Sequence, residues 1–173
     1  MKKHIFAIGL CAISATAFAG KDHHAPAPMP KEFDSLKALV GTWEGTTMME
    51  GKEMKATTTY ELTSGGTAIV EKLGPGTPHE MVSIYHKSGK SLAMTHYCAI
   101  GNQPFMKLKK HDGKTMAFEM DMKKPVGVDS HKEMHMHAVS FEFTDADHFK
   151  QNWTNMVDGK VADTAVFTMT RKK

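Results

Sequence analysis

The sequence predicts an all-β fold: about ten antiparallel strands in an up-and-down barrel, with one short N-terminal helix. Three observations carry this. From residue 42 onward, runs of about eight to ten residues alternate apolar and polar side chains. The runs are separated by short turn signals such as Ser64-Gly65-Gly66, Pro75-Gly76, Asp112-Gly113-Lys114 and Asp158-Gly159-Lys160. Only one stretch, Glu32–Val40, has helical spacing, with Phe33, Leu36, Leu39 and Val40 on one face and Gly41 as the stop. Uniformly short turns make sequence neighbours sheet neighbours, and closing the sheet removes exposed edges.

Taken in order, residues 1–19 form a secretory signal peptide. Lys2 and Lys3 precede an apolar run from Ile5 to Ile13, and Ala17-Phe18-Ala19 fits the cleavage rule. The apolar run is too short to span a bilayer. The mature chain is then expected in the periplasm or outside the cell, with no membrane contact after cleavage. Residues 20–31, GKDHHAPAPMPK, read as a disordered tail, because its Pro steps oppose helix and its charges oppose burial. His23 and His24 lie there and would hold a metal only weakly. A single domain, 32–173, follows. Its strands are expected near 42–50, 53–63, 67–74, 79–87, 90–99, 104–111, 114–122, 132–144, 148–157 and 160–170.

Composition narrows the function classes. Removal of Lys2 and Lys3 leaves 22 − 2 = 20 Lys+Arg against 19 Asp+Glu. No basic block stands out, so nucleic acid is not an expected partner. Cys11 leaves with the signal peptide, so Cys98 has no intrachain partner and stability must come from packing. The 15 methionines and 11 histidines fit either an adaptable core or soft-metal handling. Composition leaves monomer and dimer open.

Strand parity indicates the lumen. Met116, Phe118, Met120 and Met122 share a face opposite Glu119 and Asp121. Val139, Phe141 and Phe143 do the same, and continuing their parity backward places His135 and His137 inside. Leu92, Met94, His96 and Cys98 form another inner row. Phe149, Gln151, Trp153 and Asn155 form a fourth, and Met54, Tyr60 and Leu62 a fifth. Glu71 is a candidate inward carboxylate, but both faces of its strand are apolar enough to leave the parity open.

Such a wall suits a small-molecule ligand, with Tyr60, His96, Cys98, His135, His137, Gln151, Trp153 and Asn155 as its contacts. A second reading takes His96, Cys98, His135 and His137 as ligands for zinc or copper, since alternate strand positions face one way. Haem on an inward histidine belongs to the same class. A third reading is a small hydrolase or isomerase with an inward histidine as general base. No G-x-S-x-G, H-E-x-x-H or phosphate loop is present, which favours binding over catalysis.

Leu39-Val-Gly-Thr-Trp-Glu-Gly45 and Met169-Thr-Arg-Lys172 carry a resemblance. A G-x-W opening the first strand, with an inward basic residue on the last, resembles the calycin barrels: lipocalins, fatty-acid-binding proteins and nitrobindin-like proteins. The resemblance implies that Trp43 closes one barrel end beneath Arg171. Thr95-His-Tyr-Cys98, Gly101-Asn-Gln-Pro104 and Phe143-Thr-Asp-Ala-Asp-His148 look like the bacterial family DUF1579, over residues 32–171. That likeness implies the barrel and no activity. The nitrobindin-like relatives bind haem through a histidine near the C-terminal strand; Thr164–Thr170 has none.

Overall fold

The computed structural model describes residues 28–49, 51–129 and 132–173. The expected signal peptide (1–19), the expected tail up to residue 27, and Glu50, Ser130 and His131 lie outside these. Helix α1 (Phe33–Lys37) leads into β1 (Gly41–Met49), β2 (Lys52–Thr63), β3 (Ala68–Leu73), β4 (Met81–Ser88), β5 (Ser91–Tyr97), β6 (Phe105–His111), β7 (Thr115–Met120), β8 (His135–Phe143), β9 (His148–Val157) and β10 (Lys160–Arg171). Each strand pairs antiparallel with its sequence neighbours, and β1 pairs with β10 to close a ten-stranded barrel. No helix among the described residues is long and apolar enough to cross a membrane.

The helix is shorter than the periodicity predicts, because Ala38 to Val40 finish it as turns whose N–H groups bond back to Asp34, Leu36 and Lys37. The strand expected to begin near residue 132 begins at His135. The segment after β7 instead runs back along the β5–β6 connection, where Gln103 N–H donates to the Gly127 carbonyl (2.8 Å) and Phe105 N–H to that of Val126 (3.0 Å). Gly127 permits this with φ +80°; a Cβ there would stand 1.7 Å from the Gln103 carbonyl oxygen.

An up-and-down barrel has two distinct ends. One carries α1 and the β2–β3, β4–β5, β6–β7 and β8–β9 turns. It is sealed: Phe33, Leu36 and Leu39 of the helical segment are buried with Trp43, Phe149 and Met169. Trp43 meets Phe149 edge-on at 4.7 Å and donates its indole N–H to the Leu39 carbonyl at 2.7 Å. The Arg171 guanidinium lies 4.2 Å from the Trp43 ring and donates to the carbonyls of Ala38, Val40 and Ala146 and to Asp147. β1 and β10 approach so closely here that a Cβ on Gly45 would fall 1.9 Å from the Thr168 carbonyl oxygen. Met29, just before the helix, also packs against this core.

The other end carries the β1–β2 and β9–β10 hairpins and the three longer connections. Its apolar residues are more exposed: Met48, Met54, Tyr97, Ile100, Val126, Met134 and Val161 are all large hydrophobics open to solvent. Inner-facing Ala56, Met81, Asn155 and Ala165 are only half-buried. This end is the mouth of the barrel.

Candidate functional site

Between the ends lies a polar waist. Cross-strand register places Tyr60, Glu71, Ser83 and His96 side by side on β2, β3, β4 and β5 (Tyr60 opposite Glu71, Glu71 opposite Ser83, Ser83 opposite His96). A shared inward direction follows from the sheet pleat. Glu71 is completely buried. Its Oε1 accepts from the Tyr60 hydroxyl at 2.7 Å and from Gln151 Nε2 at 2.6 Å; its Oε2 accepts from the Tyr85 hydroxyl at 2.8 Å. Ser83 adds a further hydrogen bond. Gln151 belongs to β9, four strands around the barrel from β3, so this bond crosses the lumen.

The carboxyl is pulled two ways. Burial raises its pKa and is the largest influence; the bonds from Tyr60, Gln151, Tyr85 and Ser83 lower it. Burial wins, and Glu71 stands above the usual carboxyl range. Tyr60 and Tyr85 are raised well above ordinary phenols, first by burial and then by Glu71's charge.

A second contact crosses the lumen nearer the mouth. His96 on β5 packs against Trp153 on β9, with ring centroids 4.5 Å apart. His96 Nδ1 lies 3.0 Å from Ser83 Oγ. Burial lowers the His96 pKa to about 4, so the ring is neutral at physiological pH. Ser83 has one proton. If that proton goes to Glu71, His96 Nδ1 must be the donor to Ser83, and Nε2 carries a lone pair.

Several buried polar atoms here have no partner: His96 Nε2, Trp153 Nε1, Gln151 Oε1, Thr58 Oγ1 and Thr47 Oγ1. All five residues face inward by register. Leaving a buried donor or acceptor unmade costs about 1–3 kcal/mol each, so such a cluster requires an explanation. Around it, Met94, Met106 and Met120 lie side by side across β5, β6 and β7. Their unbranched thioether chains are the most readily rearranged filling a core can have.

The waist brings together Tyr60, His96, Gln151 and Trp153. It does not gather the other sequence candidates. Cys98 sits at the mouth, half-buried, with Sγ 3.9 Å from Met81 Sδ. Asn155 is also at the mouth and donates to Asp163 at 2.7 Å. His135 is buried and its Nδ1 meets the Glu133 carbonyl at 2.7 Å. His137 is buried, with its ring 5.9 Å from that of His135. A bulge between Met136 and Ala138 shifts the cross-strand register beside it. Partly buried Met136 packs against the core, and His137 Nε2 lies 3.8 Å from exposed Glu119. Burial lowers the His137 pKa, and the Glu119 charge partly opposes this.

The set His96, Cys98, His135 and His137 therefore does not form one metal site. Among the described residues, no group of three or more His, Cys, Asp or Glu side chains could hold an ion. β10 carries no histidine, so it offers no haem ligand at the position the nitrobindin-like resemblance implies. Met54 and Leu62, near the two ends of β2, are exposed rather than interior.

Ser83, Tyr85, Thr47 and Thr58 are interior polar residues that periodicity did not single out, and Glu71 is the inward carboxylate whose parity was left open. For Glu71 the usable signal was Ile69 and Leu73, apolar at i−2 and i+2. On β4, Met81, Ser83 and Tyr85 alternate with Val82 and Ile84, so both faces look apolar and parity is silent.

No protein-family model matches this chain, and no curated protein matches it. Solved structures do. The chain is similar to Rv2717c from M. tuberculosis at 12% identity and a TM-score of 0.58, covering 84% of this chain and 100% of that one. It is also similar to a DUF3598-family protein of unknown function from Nostoc punctiforme, at 12% identity and a TM-score of 0.55. That match covers 84% of this chain and half of the other. At such identities the likeness establishes the barrel fold alone.

Proposed function

We propose that the protein is a periplasmic or secreted barrel that binds a small, partly apolar molecule at its waist, reached through the mouth. One observation carries the reading: buried polar atoms of His96, Gln151 and Trp153, on walls that touch across the lumen, have no partner. The surrounding methionines and aromatic rings supply apolar contact, and their rearrangement supplies the room. The compartment rests on the N-terminal signal sequence.

Catalysis is less well supported by the same geometry. In a hydrolytic triad the imidazole stands between carboxylate and hydroxyl. Here the hydroxyl of Ser83 stands between Glu71 and His96. A histidine with a pKa near 4 is also a weak base at neutral pH.

The test is the indole N–H signal of Trp153 in ¹H–¹⁵N spectra, assigned by its loss in Trp153→Phe. Small neutral fragments that bind should shift this signal and leave that of Trp43 in place. Fragments that bind without moving Trp153, or only at the outer surface, would overturn the reading.

A further inference from the structure

The polar atoms left open at the waist specify more than the presence of a ligand. Trp153 Nε1–H can only donate. Gln151 Oε1 can only accept, because its amide nitrogen is committed to Glu71 at 2.6 Å. His96 Nε2 is the third open atom; its Nδ1 lies 3.0 Å from Ser83 Oγ, and the ring tautomer sets whether Nε2 accepts or donates. The waist therefore offers one donor, one acceptor and one imidazole nitrogen, all buried.

Charge selects further. By register, the inward basic residues of the described strands are Lys87 and Arg171 near the sealed end, and Lys52 and Lys160 at the tips of the two mouth hairpins. None stands at the waist or in the wall between waist and mouth. The ionisable groups facing the open atoms are Glu71, with Tyr60 and Tyr85 bound to it, and neutral His96. A carboxylate or phosphate would enter without a counter-ion beside a buried acid, at a cost of several kcal/mol. An ammonium would reach Glu71 only by displacing the donors already on it.

We infer, resting on the binding role proposed above, that the ligand is uncharged and presents a primary carboxamide or an equivalent N–H-rich carbonyl group, such as a urea. Its carbonyl oxygen accepts from Trp153 Nε1 and one N–H bond points at Gln151 Oε1; the second N–H meets His96 Nε2 in the tautomer that carries its proton on Nδ1. Its apolar remainder lies toward the methionine row.

The experiment titrates the full mature chain at pH 7 with three matched pairs of increasing size: acetamide and acetate, benzamide and benzoate, octanamide and octanoate. Affinity is read by calorimetry and site by the Trp153 indole signal. The expected result is that, in the pair that fits, the amide binds at least about tenfold more tightly than the acid, since the acid buries an unpaired charge. Trp153→Phe should weaken the amide about five- to tenfold, the worth of one hydrogen bond. Gln151→Leu should do the same, and Trp153→Phe keeps the test valid if that variant fails to fold. A carboxylate that binds as well as its amide overturns the ligand class and leaves the binding role standing. No binding by any pair overturns the binding role itself.

Discussion

The sealed end and the waist of this barrel treat polar atoms in opposite ways. At the sealed end the Trp43 indole donates to Leu39, and the Arg171 guanidinium reaches three carbonyls and Asp147 while covering the Trp43 ring. Both residues are fully employed in holding helix, first strand and last strand together. At the waist Trp153 is just as buried, yet its indole N–H has no partner. Two tryptophans of one chain thus differ: one closes the structure, and the other, in the binding role proposed above, offers its N–H to the ligand. Unmade buried hydrogen bonds lower stability, and binding is the compensation that would preserve them.

The largest effect expected is at the sealed end. Trp43→Ala should destabilise the fold by about 3–5 kcal/mol through a core cavity and the loss of its bond to Leu39. Urea denaturation would read this as a lower midpoint; a loss under about 1 kcal/mol would mean that the end is not closed by this ring. Arg171→Ala removes donors to three carbonyls and the contact over Trp43, and should cost about 2 kcal/mol in the same assay. An unchanged melting temperature would contradict that role.

The waist should reveal itself through pH. The folded pKa of His96, about 4, lies below the unfolded value of about 6.5. Its contribution is intact above pH 6.5 and is lost as pH falls toward 4, because the unfolded chain takes up the proton first. The shift corresponds to about 3 kcal/mol. Glu71 works in the opposite sense: its raised pKa favours the fold at low pH, and that stability is lost as pH rises through its folded value. In His96→Phe the loss of stability between pH 6.5 and 4 should shrink, leaving the Glu71 slope. An unaltered profile would show that His96 is not the group titrating.

The smallest effect expected has the opposite sign. Thr58→Val replaces an unpartnered buried hydroxyl with a methyl of similar size, and should stabilise by about 0.5–1 kcal/mol. The corresponding change at a paired group should destabilise. A lower melting temperature for Thr58→Val would remove the contrast between the two regions.

The barrel was legible because its signals are local. Alternation in Met116–Met120 and in Val139–Phe143, and Gly-containing turns between strands, specify strands and their order without reference to distant residues. Half of the candidate site was legible for the same reason: Tyr60, His96, Gln151 and Trp153 share parity with apolar neighbours. The register shift between Met136 and Ala138 was not legible, because nothing in His135-Met-His137 announces a bulge. Glu71 stayed ambiguous because β3 is buried on both faces near its position: Ala68 and Ile69 are both buried, and Val70 partly so.

Sequence alone thus determined the strand count, their antiparallel order and part of the inward-facing set, since these follow from period and turn chemistry. Only the tertiary structure decided which inward residues meet. Gln151 reaches Glu71 across 80 residues of chain, and Trp153 reaches His96 from four strands away. Those encounters depend on how closure and stagger bring opposite walls together, and no local pattern in a single strand encodes that distance.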